Sequence, residues 1–222
     1  MTDIVSNYND ILSKISRCKK EFPNSTQEVK LIAVSKTFPI ETIEKIILQG
    51  QSIFGENKVQ EACQKWPLLK SRYKNIELHL IGLLQTNKVK IALDVFDVIQ
   101  TLDREKLVTK ISNYLNPESN KTHSFFVQVN TGDEPQKSGI HIARTEEFVE
   151  WCSKEKKLNI EGLMCIPPVN ESSNDHFEIL KKLAKKCNLN KLSMGMSSDF
   201  IEAIICGATH VRVGSGIFGQ RG

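Results

Sequence analysis

The chain has 222 residues, 40% of them hydrophobic and 25% charged, with a formal net charge of +4; these are ordinary globular values, with length enough for a large core. No apolar run approaches the roughly 20 residues of a membrane span, and Met1 to Asn7 shows neither the basic nor the apolar region of a secretory signal. Six scattered cysteines (Cys18, Cys63, Cys152, Cys165, Cys187, Cys206) form no CxxC pair and five histidines form no HxxxH or HExxH pattern, which excludes a disulfide framework and a recognisable metal site and fits reduced thiols in cytoplasm.

In chain order, the pattern opens with a helix carrying Ile4, Tyr8, Ile11 and Ile15 at helical spacing. Short apolar runs then recur at 29–35, 52–54, 76–81, 95–100, 124–129, 159–164, 190–193 and 209–213. Between them lie helical patterns at 40–49, 57–70, 86–93, 103–115, 145–153, 173–187 and 198–206. Several runs are continuously apolar, as strands buried on both faces of a parallel sheet should be. The fold expected is α/β, a single (β/α)8 TIM barrel with an extra N-terminal helix, in one domain over residues 1–222. A doubly wound open sheet is the competing architecture. The tripeptides at Asn24, Asn120 and Asn170 fit the glycosylation pattern but mean nothing in a chain that is not exported.

A barrel places chemistry at the C-terminal ends of its strands. Lys36 falls there, after the first run and before Thr37-Phe38-Pro39. A lysine at the mouth of a buried strand loses hydration, which favours the neutral amine that attacks a carbonyl. Most lysines simply point into solvent, so Lys36 alone decides nothing. The second run leads into Gly55-Glu56-Asn57-Lys58, and His79 lies within the third. After the seventh, Ser197 is expected to start a helix, leaving backbone amides beside it for an anion. After the eighth, Val211-Arg212-Val213-Gly214-Ser215-Gly216 combines close-approach glycines with a short helix. Loops after strands 7 and 8 are where barrels hold phosphate. Arg212, inside an apolar strand, needs a polar partner: a ligand or a carboxylate. Amine, phosphate site and buried arginine suit a phosphorylated aldehyde. Pyridoxal 5'-phosphate (PLP) fits, and so does the substrate of a sugar-phosphate aldolase or isomerase.

Longer motifs separate these possibilities. Leu31-Ile32-Ala33-Val34-Ser35-Lys36-Thr37, Phe54-Gly55-Glu56-Asn57-Lys58-Val59-Gln60-Glu61, His79-Leu80-Ile81-Gly82, Leu192-Ser193-Met194-Gly195-Met196-Ser197 and Val211-Arg212-Val213-Gly214-Ser215-Gly216-Ile217-Phe218-Gly219 resemble the pyridoxal phosphate homeostasis protein family, formerly the proline synthetase co-transcribed family. The resemblance implies an alanine-racemase-like barrel of PLP fold type III, with PLP bound covalently as an aldimine at Lys36. It also implies that Ser197, Gly214 and Ser215 hold the phosphate, that Arg212 faces the pyridine nitrogen, and that Asn57 and His79 line the ring pocket.

An arginine at that nitrogen disfavours its protonation and makes the ring a poor electron sink. The racemases sharing this barrel use a second domain, and none is expected here. The expected role is therefore a non-catalytic PLP carrier in vitamin B6 homeostasis, cytoplasmic and monomeric, with PLP-dependent apoenzymes as candidate recipients. An amino-acid racemase is the enzymatic alternative. A nucleic-acid or protein-interaction module is a third, opposed by the dispersed charge. Leu78 and Leu83 depart from the family pattern, which has an aromatic and a second histidine there. Lys137, in a polar loop, is expected to be simply exposed.

Overall fold

The computed structural model describes residues 3–22, 28–115 and 122–219. Asn24, Asn120 and the terminal residues 220–222 lie outside this set. The strands are β1 (Lys30–Val34), β2 (Ile53–Glu56), β3 (Glu77–Leu80), β4 (Val98–Leu102), β5 (Ser124–Asn130), β6 (Ile140–His141), β7 (Ile160–Met164), β8 (Lys191–Ser193) and β9 (His210–Val213). The helices are α1 (Ile4–Glu21), α2 (Ile40–Ile47), α3 (Val59–Arg72), α4 (Val89–Val95), α5 (Glu105–Tyr114), α6 (Thr145–Lys154), α7 (Ser173–Lys186), α8 (Phe200–Cys206) and α9 (Ser215–Phe218).

Pairing runs β1-β2-β3-β4-β5-β7-β8-β9, and β9 returns to β1, with every pairing parallel. The sheet therefore closes into an eight-stranded barrel. All eight expected strands are present. The fourth is displaced toward the C-terminus, because Val95 completes α4 and Phe96 caps it. The two-residue β6 was not foreseen; it pairs with the end of β5 outside the ring.

Side-chain alternation splits each strand between two environments. Leu78, Leu80, Ile99, Leu192, Val211 and Val213 join the hydrophobic shell between barrel and helices. The positions between them, His79, Gln100, Ser193 and Arg212, face the barrel interior and hydrogen-bond to one another. A small separate cluster of Val98, Phe126 and Met164 also lies inside. Helix α1 buries Tyr8, Ile11, Ile15 and Cys18 and ties down the last turn through a bond from Asn7 Nδ2 to the Ile217 carbonyl at 3.1 Å.

All six cysteines are free. Among the described residues, no helix is long and apolar enough to cross a membrane, and no group of three metal-ligating side chains occurs.

Candidate functional site

One cavity, of about 570 Å³, opens at the C-terminal ends of the strands, a size that suits a small cofactor. Lys36, Asn57, Ser197, Arg212, Gly214 and Ser215 all line it, with Val34, Phe38, Ile81, Ile166 and Met196 giving apolar walls. Six of the seven expected binding residues thus come together from four strand ends.

Lys36 stands on a tightly held turn. Thr37, directly after it, has φ 70, a left-handed conformation in which a β-branched side chain is strained. Helix α3 enforces it from below. The Thr37 N–H donates to Glu61 Oε1 at 2.5 Å, and Lys65 Nζ donates to the carbonyls of Ser35 and Phe38 at 3.2 and 3.4 Å. Lys65 also pairs with Glu56 at 2.8 Å and Glu61 at 2.7 Å. Burial pushes the Glu56 carboxyl up, while the Lys65 ammonium, the Ser35 hydroxyl and the Trp66 indole N–H pull it back. Phe38 stacks on Phe218 with centroids 4.9 Å apart, joining the lysine turn to α9.

On the opposite wall, the N–H groups of Gly214 and Gly216 both donate to Ser197 Oγ, at 3.3 and 3.2 Å. Two amides converging on one oxygen are the kind of donor set that an anionic oxygen needs. Ser197 does not start a helix, contrary to the expectation from the sequence. Helix α8 begins only at Phe200, and Asp199 fixes the preceding turn by accepting from the Met196 N–H at 2.6 Å. That leaves the Ser197 side chain in the cavity wall, with its oxygen accepting from both amides. Gly195 permits the turn: it sits at φ 88, and a Cβ there would lie 2.5 Å from Ala203 Cβ.

Arg212 is 4% exposed. Its partners are Ser193 Oγ and the Cys165 carbonyl, each at 2.8 Å, so the carboxylate considered as its partner is not in contact. Burial draws the guanidinium down from its ordinary value, with Cys165 and Asp199 opposing; an arginine nevertheless stays charged. The neighbouring Cys165 thiol is pushed up to about 12 by burial, which keeps it neutral and unreactive.

Asn57 presents a buried Oδ1 without a protein partner, a group that calls for a ligand hydrogen bond. Its backbone is pinned by Gly82, where a Cβ would fall 2.2 Å from the Asn57 carbonyl oxygen. His79 does not line the cavity. It sits within β3, and its ring is held by Glu77 at 2.7 Å and Gln100 at 2.8 Å. Leu78 is buried on the other face of β3, so that departure from the family pattern does not touch the cavity; Leu83 is exposed. Lys137 is not simply exposed: it is half-buried and paired with Glu134 at 2.5 Å. Glu61, Lys65, Gln100 and Ser193 have no individual role legible in the sequence. Gln100 and Ser193 carry a signal, being polar residues at the inward parity of buried strands.

Fold and site define a class: a parallel barrel with a lysine, an arginine and a serine–glycine wall at its C-terminal mouth. The family model of the alanine racemase N-terminal domain matches residues 7–222. The barrel of Corynebacterium glutamicum alanine racemase superposes with a TM-score of 0.67 at 16% identity, over 95% of this chain and 61% of that one, which speaks to the fold alone. The pyridoxal phosphate homeostasis protein of Haemophilus influenzae is 38% identical over 99% of this chain and 96% of its own. That of Escherichia coli K12 is 34% identical over 100% and 98%. The structure of Synechococcus elongatus PipY with PLP bound matches with a TM-score of 0.78 at 31% identity, over 93% of this chain and 99% of that one. The chain belongs to the pyridoxal phosphate homeostasis protein family.

Proposed function

We propose that this protein binds PLP in the 570 Å³ cavity, covalently through Lys36 Nζ, and holds and releases it without efficient catalysis of its own. The observation that carries this reading is the meeting of Lys36, Arg212, Asn57 and the Ser197–Gly214–Ser215 wall in one cavity. The residues fit the group: a lysine on a clamped turn for the aldehyde, convergent amides and hydroxyls for the phosphate, and a buried cation for the ring nitrogen. When bound, the cofactor supplies a carbonyl that condenses reversibly with an amine.

The chain's own residues do the rest. The turn at Thr37 aims the amine, the Gly214 and Gly216 amides orient the anionic end, and Ile81, Ile166 and Met196 shield the ring from water. Arg212 donates to the ring nitrogen and, being permanently charged, keeps a proton off it. That restrains carbanion chemistry and favours a carrier over a racemase. Release proceeds by exchange with an incoming amine or by hydrolysis. The role extends to one barrel domain over residues 1–222, monomeric and cytoplasmic, with PLP-dependent apoenzymes as recipients.

The test is an absorbance spectrum of PLP-loaded protein before and after borohydride, followed by mapping of the modified lysine. A band near the visible edge, reduced onto Lys36 and lost in Lys36→Ala, is expected. Colourless loaded protein, or modification of a different lysine, would overturn the reading. Sustained isotope exchange at Cα of an L-amino acid would replace the carrier role with an enzymatic one.

A further inference from the structure

A line of polar side chains runs through the barrel interior from the cavity toward the opposite end of the strands. Arg212 Nη1 lies 2.8 Å from Ser193 Oγ, Ser193 Oγ 2.6 Å from Gln100 Oε1, Gln100 Nε2 2.8 Å from His79 Nδ1, and His79 Nε2 2.7 Å from Glu77 Oε1. Ser193 and Gln100 are fully buried and His79 is 1% exposed, whereas the Glu77 side chain is 38% exposed and has Lys30 Nζ at 3.9 Å.

With the Gln100 oxygen toward Ser193, the direction of every bond follows. A guanidinium only donates, so Ser193 Oγ accepts from Arg212 and sends its single proton to the Gln100 oxygen. The Gln100 nitrogen then donates to His79 Nδ1, which leaves the histidine proton on Nε2, aimed at the Glu77 carboxylate. Turning the Gln100 amide over would put the proton on Nδ1 and set a lone pair of neutral His79 against a carboxylate. Glu77 therefore selects the orientation. Its carboxyl is held down to about 2, chiefly by the His79 hydrogen bond, so the terminal acceptor stays ionised. All four bonds point one way, from a buried cation to a carboxylate, and each strengthens its neighbours in a low-dielectric interior.

We propose that Gln100 is a positioning residue for the cofactor's ring nitrogen: through Ser193 it fixes the direction in which Arg212 presents its remaining N–H groups, and Glu77, beyond His79, sets the sense of the chain. The inference rests on the reading of Arg212 as the partner of that nitrogen. A loosely held arginine would give up part of the directionality of a charge-assisted hydrogen bond. Glu77 thereby influences a contact that it does not touch.

The test compares the Kd of PLP with that of 1-deaza-PLP, in which CH replaces the ring nitrogen, in the full-length protein. Wild type is expected to prefer PLP by about tenfold or more, the scale of one charge-assisted hydrogen bond. In Gln100→Leu and in Glu77→Ala the ratio is expected to fall to within about threefold of one, while Glu77→Gln, whose amide oxygen still accepts from His79, retains the preference. Imidazole 15N shifts of the wild-type protein, free of cofactor, are expected to show His79 neutral with its proton on Nε2. A proton on Nδ1 would overturn the chain as drawn. An unchanged ratio in folded Gln100→Leu, or in Glu77→Ala should the former fail to fold, would overturn the positioning role. No preference in wild type would overturn the assignment of Arg212 to the ring nitrogen itself.

Discussion

At the scale of single residues, the lysine turn shows how strain and precision are exchanged. Thr37 holds φ 70 because its N–H is taken by Glu61 and the flanking carbonyls by Lys65. The strain amounts to about 1–3 kcal/mol for a β-branched residue. Glycine would relieve it while adding about 0.5–1 kcal/mol of backbone entropy to the unfolded chain. Relief is the larger effect. Thr37→Gly is expected to raise stability by up to about 1 kcal/mol while speeding loss of PLP, because the amine beside it is less firmly aimed. Urea unfolding and a cofactor-release time course measure the two effects. A variant that is destabilised, or that releases no faster, would show that the left-handed turn is incidental to the lysine.

At the scale of elements, α3 acts as the foundation of the site. Its Lys65 and Glu61, one turn apart, reach under β1 to hold the Lys36 turn, while Glu56 at the end of β2 supplies the buried counter-charge. The Lys65 and Glu56 side chains are 10% and 0% exposed, so this pair is not a solvent-screened surface bridge. Removing one partner leaves the other charge buried and uncompensated, at a cost of about 3–5 kcal/mol. Lys65→Met is expected to lose that much stability, read from the urea midpoint. Lys65→Met combined with Glu56→Gln should recover a good part of it, since the fully buried charge is then gone and Glu61, which also loses its partner, reaches solvent. A single variant within about 1 kcal/mol of wild type would rule out this role. The last turn depends on α1 in a similar way, because Asn7 fixes the Ile217 carbonyl behind the glycine segment.

At the scale of the whole molecule, the polar barrel interior makes stability depend on pH. His210 is held down to about 3, chiefly by burial, with the Lys30 and Lys191 ammonium groups adding to the effect. The unfolded chain takes up its proton near pH 6.5 and the folded one does not. His210 therefore contributes stability fully above about pH 6.5, lost as pH falls toward 3. Glu77, held down to about 2, acts in the same sense below about 4.5. Between pH 6.5 and 4.5 the slope attributable to His210 is up to about 1.4 kcal/mol per pH unit. Urea unfolding at stepped pH is expected to show this decline, and His210→Gln should flatten it in that interval. An identical slope in the variant would contradict the assignment.

Much of this molecule is written locally. Apolar runs bounded by turn residues place all eight barrel strands and the helices between them, because alternation and helical spacing depend only on neighbours along the chain. The short β6 escaped because two residues carry no period, and β4 was misplaced because Val95 and Phe96 extend its apolar run into a helix end. Six cavity residues were legible from strand-end position and motif. The resemblance puts His79 in the ring pocket, but neither motif nor spacing tells how deep in a barrel an inward residue sits. Ser197 reads as the start of a helix, yet Asp199, two residues on, takes the turn and the helix begins at Phe200. By itself, then, the sequence determined the eight strand–helix units, the family and the residues that can meet at a barrel mouth. The tertiary structure alone decided what holds those residues: Lys65 beneath the lysine, and Ser193 meeting Gln100 across 93 positions. Polar pairing in a buried interior follows from ring closure and strand register, which bring together residues that no local pattern relates.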